Sequence, residues 1–266
     1  MGLACRPPAQ VGTPVTHWSA ADLRDAFAAR RDGADVSAAT IGRELAAAEL
    51  KPHRQRYFLT SRDPDYDAKL ADIVRLYLEP PPGATILSLD EKPSIQAVSR
   101  KHLDLPMQPD HPMVYREFEY VRHGVMHLFA AFNVRTGRVL ADVQKNKTRF
   151  EFIELLERCA WHYRQGPVHC VVDNASYHST AEVKQWLADH PRFVFHFTPK
   201  HASWLNQVEC WFSILSKKVL RRGSFEDQRA LAKALRAFVA HWNDNAHPFA
   251  WAYGKELIHE RGLPAA

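Results

Sequence analysis

The sequence predicts an α/β protein, a mixed sheet flanked by helices, preceded by a small all-α unit. Three observations predict it. Residues 19–78 carry apolar positions at helical spacing behind capping signals. The run Glu79-Pro80-Pro81-Pro82-Gly83 cannot continue a helix and breaks that pattern. Beyond it, β-rich apolar runs first follow one another through turns and then alternate with helices. The expected division is therefore 1–80, a partial helix-turn-helix region, and 81–266, the sheet domain.

Each element has a local reason. Ser19 with Asp22 forms a capping box, and Trp18 and Leu23 a hydrophobic staple, for a helix that aligns Leu23 with Phe27. Ser37 caps a second helix from Ala38 to about Glu49, with Ile41, Leu45 and Ala48 inward and Ala39, Gly42, Arg43 and Ala46 outward. A third, about 66–78, aligns Leu70, Val74 and Tyr77. Thr85–Leu89 reads as a buried strand ending at Asp90, and 113–122 and 125–134 as two antiparallel strands. Arg135-Thr136-Gly137 turns the chain into a strand at 138–143. A helix at about 148–164 buries Phe152, Leu155, Leu156, Cys159 and Tyr163, and strand Val168–Val172 ends at Asp173. Helix 179–189 and strand Phe193–Phe197 follow. A helix at about 204–220, capped by Ser203, precedes one at about 227–242 that buries Leu231, Leu235, Phe238 and Trp242.

Composition narrows the function classes. The 266 residues are 46% hydrophobic and 24% charged, a globular balance that excludes a disordered chain. No apolar run approaches the roughly 18 residues of a membrane span. The N-terminus lacks the basic and apolar segments of a signal peptide, so a cytoplasmic protein is expected. Cys5, Cys159, Cys170 and Cys210 form no Cys-x-x-Cys pair, which argues against a zinc ribbon or redox motif and for reduced, mostly buried thiols. The net charge is +5; acids and bases balance over 1–80, so the surplus lies in 81–266. Two clusters stand out: Lys51, His53, Arg54, Arg56 and Arg62, and Lys217, Lys218, Arg221 and Arg222. They read either as solvated faces or as contacts to nucleic-acid phosphates. The first two helices suit a helix-turn-helix with Arg43 at a base edge or phosphate, or equally a plain helical hairpin.

The acids are the candidates for chemistry, against plainer readings of Asp90 and Asp173 as caps of following helices and of Glu209 as an exposed side chain on an amphipathic helix. Asp90 and Asp173 each follow an apolar strand, where ligand sites of open α/β sheets occur. Glu209 stands on a helix among the core-like Val208, Trp211 and Phe212, with Asn206 on the same face three residues earlier. Three hard oxygen donors suit magnesium or manganese. Two such ions about 4 Å apart can support in-line displacement at a phosphodiester.

Asp90-Glu91 after an apolar strand, Asp173-Asn174 with His178, and His201-x-Ser203-Trp204-Leu205-Asn206-x-x-Glu209-x-Trp211-Phe212 together resemble the insertion-sequence family 630 transposases. These are related to mariner elements and belong to the RNase-H-like Asp-Asp-Glu group. The 35 residues between Asp173 and Glu209 fit that family. Asn245-x-x-Pro248-Phe249-x-Trp251 is similar to its C-terminal signature. Val36-Ser37-x-x-Thr40-Ile41-x-Arg43 with Lys51-Pro52-His53-Arg54 is similar to the end of its helix-turn-helix region. The resemblance implies an RNase-H-like sheet domain in which Asp90, Asp173 and Glu209 bind two Mg2+ ions, with Mn2+ able to substitute. It implies cleavage at transposon ends that frees 3′-hydroxyls, which then attack target DNA at TA. It further implies Asn174, His178, Ser203 and Asn206 as groups that orient the acids or the substrate, and Glu91 as a neighbour of the site and not a ligand. DNA, both terminal inverted repeats and target, is the implied partner, with a homodimer on DNA at the bacterial nucleoid. Lys51, Arg54, Arg56 and the 217–222 cluster would join Arg43 in binding it. Family members usually carry another helix-turn-helix ahead of this one, and the 1–80 region is expected to correspond only to the second. Two rival readings remain at this point. One is a remnant that binds element ends and represses transposition without catalysis. The other, a glycosidase, would need an acid and a base flanking a sugar cleft.

Overall fold

The computed structural model describes residues 2–30, 36–48, 50–52, 63–102, 104–110 and 112–250. The chain forms two compact units, Met1–Thr60 and Ser61–Ala266. The first unit contains α1 (Ala20–Ala28) and α2 (Ala38–Ala47). The Ser19–Asp22 capping box forms, and the Ser37 hydroxyl accepts the Thr40 amide. Leu3, Trp18 and Leu23 are buried together, with Phe27, Ile41 and Leu45 packed against them. Glu49, Arg54, Arg56 and most of the link between α1 and α2 lie outside the described residues.

The second unit begins with α3 (Tyr66–Leu78), which precedes the proline run yet packs Leu70, Ile73 and Val74 into the core of the sheet. The strands are β1 (Thr85–Arg100), β2 (Tyr120–Asn133), β3 (Val139–Gln144), β4 (Val168–Val172) and β5 (Phe193–Phe197). Their order is β3-β2-β1-β4-β5. The first three pair antiparallel, and β4 joins β1 and β5 in parallel. Helices α4 (Arg149–His162) and α5 (Ala181–Asp189) cover one face; α6 (Gln207–Leu215) and α7 (Gln228–Asp244) join α3 on the other. Alternation along β1 and β2 decides which residue meets which layer. Leu87, Leu89 and Phe129 pack with Phe152, Leu155 and Leu156, whereas Ile86, Ala130 and Phe132 pack with Trp211, Leu231 and Leu235.

Several sequence expectations are corrected. β1 does not end at Asp90; it continues to Arg100 because Glu91–Arg100 pair with β2, with register shifts around Pro93 and Ala97. The two strands read at 113–122 and 125–134 are one continuous β2 preceded by a loop. Gly124 lies inside β2 at φ +103, opposite a register shift of β1, and does not turn the chain. The helix read at 204–220 is a 3-10 turn Ser203–Leu205, then α6, then a π-helical turn Ser216–Leu220, and the Ser203 side chain makes no cap. Only Cys159 and Cys170 are buried; Cys5 and Cys210 are exposed. Phe238 and Trp242 are only partly buried. The Asn243 side chain fulfils another task here. Its Oδ1 accepts the Val139 amide and its Nδ2 donates to the Val139 carbonyl, both at 2.8 Å, covering part of the outer edge of β3.

Candidate active site

The parallel register of β1 and β4 brings the two aspartates together. Ser88 pairs with Val171, so two residues farther along each strand Asp90 stands beside Asp173 on the face that α6 covers. Asp90 is 6% exposed. Its Oδ1 accepts the Glu91 amide at 2.8 Å, and its Oδ2 accepts from Asn206 Nδ2 at 3.1 Å. Asn206 is fully buried and also donates to the Leu89 carbonyl at 2.9 Å. Its Oδ1 accepts the Ser88 hydroxyl, and Ser88 Oγ in turn accepts the Val208 amide at 2.8 Å. Asn206 occupies the position before α6 but does not cap it, because its side chain is committed to β1.

Asp173 is fixed by the residues that follow it. Its Oδ1 accepts the Ala175 amide at 2.9 Å. His178 Nδ1 lies 3.0 Å from both the backbone oxygen and Oδ1 of Asp173. Both are acceptors, so Nδ1 carries the hydrogen. The His178 ring is 1% exposed and packs against Phe152 and Tyr177, with ring centroids 4.3 Å away. Asn174 donates to the Thr198 carbonyl, joining the turn after β4 to the end of β5.

Glu209 is exposed on the first turn of α6, while its neighbours Val208, Trp211 and Phe212 are buried. The Glu91 carboxylate is already occupied: it accepts the Tyr177 hydroxyl, and Lys147 Nζ pairs with its other oxygen at 2.8 Å. Sequence reasoning missed Tyr177 and Lys147, which have no motif spacing to Glu91 and meet it only through the fold.

The electrostatics are those of crowded acids. Burial, with the charges of Asp173, Glu91 and Glu209 added, pushes Asp90 up to about 8. Burial also raises Glu209, as do Asp173 and Glu91, against the opposing influence of Lys92. Burial works against ionisation of Asp173 too, but hydrogen bonds from His178 and the Ala175 amide, with the Lys147 charge, bring it below its ordinary value. Carboxylates that repel one another, one of them buried, suit a hard divalent cation. Among the described residues no three His, Cys, Asp or Glu side chains close into a ready-made metal cage. That is compatible with magnesium, which is held by one or two carboxylates and completed by water and substrate phosphate.

The structure gives the remaining sequence candidates no contact with these acids among the described residues. Ser203 is exposed, and its carbonyl accepts the Asn206 amide at 2.9 Å. Lys217, Lys218, Arg221 and Arg222 are exposed at and after the π-helical turn. Arg43 and Lys51 are exposed in the first unit, with Arg43 donating to Thr40 Oγ1. No helix of the described residues is long and apolar enough to cross a membrane.

Comparison with known proteins gives the family and the fold. The sequence model of the DDE superfamily endonucleases matches residues 85–232, which contain all three acids. The "Insertion element IS630 uncharacterized 39 kDa protein" of Shigella sonnei is 26% identical over 211 residues, 78% of this chain. The match takes in 60% of that relative's length. Among solved structures, the "Mos1 transposase paired-end complex with left transposon end" has a TM-score of 0.56 at 16% identity, covering 94% of this chain and 78% of that one. The "Mos1 Strand Transfer Complex" has a TM-score of 0.57 at 17% identity, covering 94% and 77%. The shared fold is RNase-H-like.

Proposed function

Because this chain belongs to the DDE superfamily endonucleases, we propose that it is a DNA transposase whose phosphodiester chemistry is carried by Asp90, Asp173 and Glu209. The observation that supports this most is the register of β1 and β4, which sets Asp90 beside Asp173 under the helix that bears Glu209. In this reading the three carboxylates hold two Mg2+ ions, for which Mn2+ substitutes. When bound, the ions activate the attacking oxygen and stabilise the leaving one. Asn206 and His178 orient Asp90 and Asp173, and Asn174 and Ser203 shape the adjoining loops. The reaction frees 3′-hydroxyls at the element's terminal inverted repeats and joins them to target DNA at TA. Arg43, Lys51, Arg54 and Arg56 contact DNA from the first unit, and Lys217, Lys218, Arg221 and Arg222 from the second. Joining two ends calls for a homodimer on DNA, acting at the nucleoid of the bacterial cytoplasm.

The test uses a plasmid carrying this gene with its native flanks, purified protein and manganese, with new 3′ ends mapped at nucleotide resolution. Breaks at inverted repeats beside TA, absent with Asp173→Asn, are the expected result. DNA binding without breaks at any repeat would overturn the catalytic reading in favour of a repressor of transposition.

A further inference from the structure

Beyond Asp90, β1 forms one wall of an open groove of about 580 Å3. The other wall is the π-helical turn Ser216–Leu220 and the residue after it. Lys92 and Arg100 line it from β1, and Lys217 and Arg221 from the opposite side. Among the described residues lining it there is no acid. The groove begins two residues past Asp90, where the Lys92 charge already acts on Glu209. At its far end Tyr120, paired in register with Arg100, is 46% exposed. The guanidinium carbons of Arg100 and Arg122 lie 5.2 and 5.6 Å from its ring centroid. Arg100 is anchored through Nη1 to the Phe118 carbonyl at 3.0 Å, while its Nε has no hydrogen-bond partner among the described residues.

Cations alone would serve the phosphates of a duplex. A half-exposed aromatic ring beside a cationic track serves an unpaired base, because stacking needs a base free of its partner. We propose that this groove carries a single strand of DNA running from the scissile phosphate. Lys92, Arg100, Lys217 and Arg221 meet its phosphates, and Tyr120 stacks on an unpaired base. The inference rests on reading the acidic centre as a DNA-cleaving site.

The test measures binding of the full chain, without divalent metal, to a short blunt duplex and to the same duplex carrying a single-stranded oligothymidylate extension. The extended DNA is expected to bind more tightly. Tyr120→Leu should remove about five- to hundredfold of that affinity, and Tyr120→Trp should restore it. Arg100→Ala with Arg221→Ala should lower the slope of log affinity against log salt by about 1.4 on the extended DNA, for two phosphate contacts to a single strand. Circular dichroism of each variant checks the fold. Equal binding of the two DNAs, or equal losses on both in the variants, would overturn the groove and leave the catalytic reading standing. No binding to either DNA would overturn both.

Discussion

Asn206 Nδ2 joins Asp90 Oδ2 at 3.1 Å and the Leu89 carbonyl at 2.9 Å, so one buried amide ties the start of α6 to the strand that carries the first acid. Asn206→Ala leaves the Ser88 hydroxyl without its acceptor and Asp90 Oδ2 without its donor, while Oδ1 keeps the Glu91 amide. Each buried polar group so orphaned costs about 1–3 kcal/mol. The variant should therefore unfold at lower urea with an unchanged m-value. A midpoint equal to the wild type would mean that the bond contributes nothing.

The crowding of Asp90 gives a pH signature. Its folded value, about 8, lies above the unfolded carboxylate value of about 4, so the folded protein retains a proton that the unfolded chain has released. In chelator, stability should fall as pH rises from about 4 to about 8, by no more than about 1.4 kcal/mol per pH unit. Asp90→Asn should flatten that fall. At pH 8, added Mg2+ should raise the melting temperature of the wild type and not that of the variant. Parallel melting curves for the two proteins would contradict the prediction.

His178 acts through Asp173. His178→Ala removes the donor that holds Oδ1 and the backbone oxygen together. Groups that orient metal-binding side chains typically contribute about 10–100-fold in metal affinity. The variant should need about that much more Mn2+ for half-maximal nicking, with activity recovering at high metal. An unshifted metal titration would reduce His178 to a packing residue.

Acid should loosen the start of α3. Asp63 is held at about 2 by hydrogen bonds from Lys69 and then from the Lys200 amide. Its folded value lies below the unfolded one, so its stabilisation is complete above about pH 4 and is lost as pH falls towards about 2. Asp63→Asn should be less stable at neutral pH and should lose less stability than the wild type between those limits. Acid titration followed by tryptophan fluorescence reads this directly.

These cases mark how much the sequence disclosed. Phe193–Phe197 forms over the residues read as a strand, and α7 forms over the helix read at about 227–242, with Asp227 as its cap through the Ala230 amide. Local signals sufficed for both, because apolar runs and caps act over a few residues. The extension of β1 past Asp90 was hidden: Pro93 and the charges of Glu91 and Lys92 obscure a strand whose continuation depends on pairing with β2. The acids could be listed from their positions after apolar runs. Of their supports, Asn206 and His178 could be named beforehand, but Ser88 on Asn206, and Lys147 and Tyr177 on Glu91, meet only through long-range packing. Lys92 and Arg100 join Lys217 and Arg221 in one groove for the same reason.

The three acids occupy backbones of unequal permanence. Asp90 sits inside β1, in a stretch that β2 flanks throughout and β4 flanks up to Ser88, whereas Asp173 follows the end of β4 and Glu209 sits in the first turn of α6. Amides inside a central strand exchange with solvent through global unfolding, and those at element ends through local opening. Hydrogen exchange should therefore be slow at Leu87 and Leu89 and faster around Asn174 and Val208. One of the three candidate acids thus stands on backbone that only global unfolding should release, and two stand where local opening should reach.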